Sequence, residues 1–130
     1  MLAGQFCVRE YSRAFADETV HTAVERMASA RADFVVVIDE HDRPLGILQG
    51  RELILQVMAG TADTTTVGEL INDEPALVQE STAAGFALSR MYELCVSHLL
   101  VVRDNGVVTG VLSRDAILSS LGRGSASLPA

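Results

Sequence analysis

Along this chain the spacing of hydrophobic and polar positions changes in a fixed order, and the order occurs twice. Val20, Ala23, Val24, Met27 and Ala28 recur at the spacing of one helical face, as do Ala84, Ala87, Leu88, Met91 and Tyr92. Each amphipathic helix is followed by a continuous aliphatic stretch, FVVVI at 34–38 and HLLVV at 98–102. Such a run suits a strand buried on both faces. Polar turns follow at 39–43 and 103–106, the second containing Asn105-Gly106, a strong hairpin signal. A returning strand, PLGIL or VVTGVL, then leads into a shorter apolar helical face: Leu53, Ile54, Val57 and Met58 in one copy, Ile117, Leu118 and Leu121 in the other. With short leading strands around 13–16 and 76–79, each copy reads strand, helix, strand, strand, helix. The first long helix is expected to be capped by Asp17 or Thr19, the second by Ser81 or Thr82.

Sliding the chain against itself by 64 residues superposes Ala23 on Ala87, Arg26 on Arg90, Met27 on Met91, Val37 on Val101, Gly46 on Gly110 and Leu48 on Leu112. This internal duplication outranks any single motif. It divides the chain into an N-terminal segment (1–12), repeat 1 (13–60), a linker with a short helix at 67–71 (61–75), repeat 2 (76–121) and a flexible tail (122–130). The fold class is α/β (α+β). One copy of about 50 residues would bury too little apolar surface to stand alone, so the two are expected to share a core.

Composition narrows the function. The 130 residues are 48% hydrophobic and 21% charged, enough to fill an interior. The net charge of -7 is spread over both halves and no basic face stands out, which disfavours nucleic-acid binding. All ten basic residues are arginine, so neither a P-loop lysine nor a lysine Schiff base is available. No apolar run has the length of a membrane span, and no signal peptide is recognisable, so a cytoplasmic protein is expected. Cys7 and Cys95 are too few and too far apart for a disulfide framework, and core thiols are the plainer reading. GxSxG, HExxH and GxGxxG are all missing, and His21, His41 and His98 lack the spacing of a metal site. No catalytic residue and no metal ligand is assigned, and a non-enzyme is expected.

The phrases TVHTAVERM, ADFVVVIDEHDRPLGILQGREL, TVGELINDEPALVQESTAAGFALSRMYELCVSHLLVV and GVVTGVLSRDAIL together cover roughly residues 13 to 121. In their doubled order they resemble a tandem pair of CBS domains, a Bateman module. The resemblance implies two repeats packed through their sheets by pseudo-twofold symmetry, with two clefts at the junction. It also implies an adenosine compound such as AMP, ADP, ATP or S-adenosylmethionine as regulatory ligand, no required cofactor, assembly as a homodimer, and an unidentified regulated protein as partner.

The family's nucleotide signature is a glycine, two residues, Ser or Thr, two residues, and an Asp that accepts hydrogen bonds from the ribose. It maps onto Gly46, Gln49 and Glu52, and onto Gly110, Ser113 and Ala116. The Asp is absent from both. Losing a hydrogen bond to a charged group costs about 10- to 100-fold in affinity, so the copy that keeps a carboxylate is the better candidate. The resemblance assigns Phe15, Ala16, Asp33, Phe34, Gln49, Arg51 and Glu52 to a first cleft, and Gln79, Ser97, His98, Ser113 and Arg114 to a second. Plainer readings stand beside these. Ser113 is placed to cap the helix that starts at Arg114. Arg51 and Arg114 fit solvated positions, Glu52 and Asp115 favour a helix macrodipole without any ligand, and His98 fits a packed strand residue. The rival to a sensing module is a ligand-free dimerisation or protein-interaction scaffold whose nucleotide sites have degenerated.

Overall fold

In the computed structural model, residues 1–123 are described, with side chains to residue 120. A short helix α1 (Ala3–Phe6) precedes β1 (Ser12–Phe15), α2 (Val20–Ala30), β2 (Phe34–Ile38), β3 (Pro44–Gln49) and α3 (Gly50–Met58). After a 3-10 turn (Val67–Leu70) come β4 (Leu77–Gln79), α4 (Ala84–Leu94), β5 (His98–Val102), β6 (Val108–Ser113) and α5 (Arg114–Arg123). The strands form two three-stranded sheets, β1-β2-β3 and β4-β5-β6. β1 runs parallel to β2, with Ser12 opposite Val35 and Phe15 opposite Ile38. β3 returns antiparallel, with Phe34 opposite Gln49. β4 is parallel to β5, and Gln79 lies opposite Val102.

Local chemistry sets the helix ends. Thr19 caps α2, its hydroxyl oxygen accepting from the Thr22 N–H at 3.2 Å. Arg31 ends α2 in the left-handed conformation at φ 53°, and the Ala32 N–H reaches the Met27 carbonyl at 2.9 Å. Cys95 does the same for α4 at φ 57°, with Val96 donating to Met91 at 3.0 Å. The turn glycine Gly106 (φ 82°) likewise has its counterpart in Asp42 (φ 61°). The start of α4 departs from expectation. Neither Ser81 nor Thr82 caps it: the N-cap is Ala83, which has no side-chain acceptor, and the Ala84 N–H donates instead to the Met1 carbonyl at 2.8 Å.

That bond shows where the N-terminal segment belongs. The chain divides into two compact units: one holds Met1–Arg9 with Ala76–Asn105 and the residues from Thr109 onward, the other holds Glu10–Pro75 with Gly106–Val108. In the first unit, Ala84 donates to Met1, Ala3 to Thr82 at 2.7 Å, and Gly4 to Glu80 at 3.0 Å. In the second, Val20 donates to Thr65 at 2.9 Å, Val67 to Glu18 at 2.9 Å, and Gly68 to Ala16 at 3.0 Å. These are the same three bonds under the 64-residue offset. Residues 1–9 are therefore a copy of 65–73, and each repeat is closed by a segment that lies outside its own strand-helix-strand-strand-helix run.

Each unit has its own core. Ala14, Val20, Ala23, Met27, Val35, Val37, Leu48, Leu53 and Val67 form one; Ala3, Val78, Ala87, Met91, Leu99, Val101, Leu112 and Ile117 form the other. Fully burying each of the larger aliphatic side chains contributes about 1.5–3 kcal/mol. Val36, Ile38, Leu100 and Val102, on the alternate face of β2 and β5, are buried as well, which is why those strands carry no polar alternation.

Three expectations are corrected by burial. In α3 only Leu53 of the predicted apolar face is buried, while Ile54, Val57 and Met58 are exposed together with Leu55. Tyr92 and Leu118 are likewise on the surface. Cys95 is exposed, because the left-handed turn that ends α4 carries it out of the core, and Cys7 is half-buried. Residues 122 and 123 of the expected tail close α5, and the rest of that tail lies outside the described residues.

Candidate functional site

In the first repeat, the start of β2 faces the end of β3, and α3 begins at the next residue. A strand start, a strand end and a helix N-terminus thus meet at one corner, which the Gly50 N–H closes by donating to the Asp33 carbonyl at 2.8 Å. The second repeat builds the same corner. His98 opens β5, Ser113 ends β6, and the Arg114 N–H at the start of α5 donates to the Ser97 carbonyl at 2.9 Å. Asp33, Phe34, Gln49, Arg51 and Glu52 gather at one corner; Ser97, His98, Ser113 and Arg114 gather at the other.

The side chains at the two corners are committed differently. Glu52 stands where the family signature has Asp, and its Oε1 accepts from the Gln49 N–H at 3.2 Å. It therefore acts as a helix cap. Asp33 and Arg51 are exposed beside it. At the other corner the Ser113 Oγ accepts from the Ala116 N–H at 3.0 Å, so Ser113 is the N-cap of α5. Ser97 Oγ and His98 Nδ1 share a hydrogen bond of 2.8 Å. The Arg114 guanidinium lies 5.8 Å from the centroid of the Tyr92 ring, an attraction that orients it on the surface of α4.

Phe15, Ala16 and Gln79 are not brought to these corners. Phe15 and Gln79 pair with the last residues of β2 and β5, about 13 Å along the strand from the first. There Phe15 donates its N–H to Glu18 Oε1 at 2.8 Å, and Arg26 bonds the same carboxylate at 2.6 and 3.1 Å. The Arg26 hydrogen bonds hold the Glu18 carboxyl below its usual range, against a smaller opposing effect of burial. In the other unit, Gln79 lines an open hollow of about 460 Å³ with Glu80, Ser81 and residues 102–105. The Thr109 hydroxyl donates to Glu80 at 2.6 Å and Arg9 bonds it at 3.2 Å, and these contacts lower the Glu80 pKa.

Two residues near the corners are not assigned to a cleft by the sequence. Tyr92 is the partner of Arg114. Ser12, at the start of β1, is buried, and its hydroxyl has no partner among the described residues. The 64-residue offset carries a signal for Ser12, because its counterpart is Ala76. The two signature glycines have a packing role. A Cβ on Gly46 would lie 2.7 Å from Ile71 Cδ1, and one on Gly110 would lie 2.5 Å from the Cys7 sulfur. Among the described residues no His, Cys, Asp or Glu cluster is arranged to hold a metal ion, and no helix is long and apolar enough to cross a membrane.

Comparison with known proteins places this architecture. The family model for the CBS domain matches residues 4–58 and 67–123, and the chain belongs to the CBS domain family as a tandem pair. It is 31% identical over 99 residues to the CBS domain-containing protein CBSCBSPB1 of Arabidopsis thaliana, a match covering 75% of this chain and 18% of that protein. The chain thus spans under a fifth of that relative. Among solved structures, the cytosolic domain of the Mg2+ channel MgtE in complex with ATP superposes with a TM-score of 0.80 at 26% identity, covering 92% of this chain and 48% of that one. The CBS domain pair of protein MJ0100, in complex with 5′-methylthioadenosine and S-adenosylmethionine, gives a TM-score of 0.81 at 16% identity and covers 95% and 97%.

Proposed function

We propose that this CBS pair is a regulatory module that senses an adenosine-type metabolite at its two corners and transmits occupancy to a regulated partner. The observation that carries the reading is the repeated corner itself. In each unit a backbone bond locks the helix N-terminus against the strand start, 2.8 Å at Gly50 and 2.9 Å at Arg114, with amide and charged side chains around the first and hydroxyl, imidazole and guanidinium side chains around the second. Helix N-termini favour anionic groups, and the flanking donors and acceptors suit a ribose or a phosphate. CBS structures similar to this chain hold ATP or S-adenosylmethionine. The ligand acts by population shift, favouring whichever conformation offers it more contacts. Titration calorimetry with AMP, ADP, ATP and S-adenosylmethionine tests the reading. Saturable heat with at least one of them is expected, and uniform silence at millimolar concentration overturns it.

A specific observation supports a second reading, a ligand-free assembly scaffold. Glu52 and Ser113, the best side chains of the signature, both serve as helix caps, and Ala116 has no acceptor at all. Exposed Leu55 and Met58 on α3 offer an apolar surface to a second copy. Under either reading the protein is a homodimer, so light scattering at micromolar concentration gives twice the chain mass. Leu55→Asp with Met58→Asp lowers it to one chain if α3 lies in that interface.

A further inference from the structure

The helix α4 carries on its outer face a stripe that its copy α2 lacks. Phe86, Arg90 and Leu94 recur at every fourth residue, about 12 Å from first to last. Phe86 is 65% and Leu94 43% exposed. Beside the first turn of the helix, Leu2 pairs with Ala83 and is exposed as well. Under the 64-residue offset the same positions read Thr22, Arg26, Ala30 and Thr66. One scaffold thus presents small and polar side chains around its arginine in one unit, and large apolar ones in the other. We propose that this face of α4 is the docking surface for the regulated protein, and that it takes a segment presenting a carboxylate between two apolar side chains. The inference rests on the regulatory reading above and names the surface through which that module meets its partner.

The arginine decides the chemistry of the partner. In α2, Arg26 is committed to the fold: its guanidinium donates to Glu18 at 2.6 and 3.1 Å and to the Arg13 carbonyl. Its copy Arg90 has lost that acid, because Glu18 becomes Thr82. Arg90 is exposed, and its side chain has no hydrogen bond, ion pair or ring contact among the described residues. Glu93, the nearest acid along α4, is exposed one turn further on and closes no ion pair with it. An acid on the C-terminal side of its base is the weaker order for such a pair. A free guanidinium between two exposed apolar side chains combines the residue types that anchor protein interfaces. The apolar flanks exclude water on docking, and the guanidinium then donates two parallel hydrogen bonds to a carboxylate at reduced dielectric. An anionic membrane fits less well, since the chain carries a net charge of -7 and the stripe holds a single cation.

Peptide-phage selection on the full chain, with the Phe86→Ser, Arg90→Glu double variant as counter-selection, tests the surface. Enrichment of sequences with Asp or Glu between two apolar residues is expected. The most enriched peptide, made synthetically with a fluorescent label, is then titrated with each variant. Arg90→Ala should weaken it about tenfold or more, and Arg90→Lys should restore part of the loss. Thr82→Glu rebuilds the acid that holds Arg26 in the other repeat and leaves the stripe intact. By recapturing the guanidinium it should weaken the peptide about fivefold. Circular dichroism confirms that each variant is folded. No enriched motif, a motif without an acid, or binding indifferent to Arg90 overturns the proposal. So does a halved mass of the double variant in light scattering, which would assign the surface to a second copy. Retention of the wild type but not the double variant on phosphatidylserine vesicles would assign it to a membrane and overturn the proposal equally. Nucleotide binding is read separately by calorimetry, so failure of the surface leaves the adenosine reading standing.

Discussion

Gly110 lies directly beneath Cys7: a side-chain carbon placed on the glycine would stand 2.5 Å from the cysteine sulfur. The first glycine of the second signature is thus fixed by the N-terminal segment packed over it. Gly46 stands in the same relation to Ile71. The two contacts differ in how readily they yield. Ile71 offers the far end of a flexible side chain, whereas Gly110 also meets the Val8 carbonyl at 3.1 Å. Gly110→Ala is therefore expected to destabilise by about 1–3 kcal/mol, and Gly46→Ala by less. Thermal denaturation of both, with Ile71→Val added to the second, checks the order. The added change should restore most of the loss at Gly46, and Cys7→Ala should restore only part of that at Gly110.

Removing residues 1–9 takes away the partners of Ala84, Thr82 and Glu80 and uncovers the core beside Ala3. The loss of apolar burial alone amounts to at least about 2 kcal/mol. Hydrogen exchange on the truncated chain should show the first turn of α4 and the edge of β6 near Val111 exchanging fastest, since Val8 pairs with Val111. Protection equal to that of the full chain would contradict the assignment of this segment.

The Glu18–Arg26 pair gives stability a definite dependence on pH. The folded-state pKa of Glu18 is depressed, chiefly by its hydrogen bonds from Arg26. The unfolded chain therefore binds the proton more readily, and the contribution is fully present above the ordinary glutamate range and disappears as pH falls through the lower folded value. Arg26 is partly exposed, so the effect stays within about 1 kcal/mol. Melting curves from pH 7 down to pH 3 should converge for the wild type and Glu18→Gln at the acidic end and separate above it.

Ser12→Ala should raise stability. The buried hydroxyl lacks a partner among the described residues, and an unsatisfied buried polar group costs about 1–3 kcal/mol. A higher melting temperature is expected. A lower melting temperature would mean that the hydroxyl is satisfied in solution.

Much of this was legible in the sequence, and the parts that were not have physical causes. The 3.6-residue spacing and the aliphatic runs predicted α2, α4, β2 and β5 because each buries a strong, regular pattern. The signature residues Gln49, Glu52 and Ser113 were placed at helix starts, where they are. Residues 1–12 were opaque because their partners lie about 80 and 100 positions away, at Glu80 and Val111, yet extending the 64-residue offset to the chain start would have matched Gly4 with Gly68. Phe15, Ala16 and Gln79 are assigned by the sequence to the same clefts as the corner residues; the parallel register sets Phe15 and Gln79 at the other end of their sheets, a placement that strand identity alone does not give. Tyr92 fitted a helical core face by spacing and is instead exposed, stacked with Arg114.

The proposed binding of an adenosine ligand at the corners where β3 meets α3 and β6 meets α5 is tested most directly by amide chemical-shift mapping during titration with ATP and 5′-methylthioadenosine. The largest shifts are expected at Asp33, Gly50 and Glu52 and at His98, Arg114 and Ala116, with little change at Phe15, Ala16 and Gln79. Shifts concentrated at those last three residues, or no shifts at saturating ligand, would contradict it.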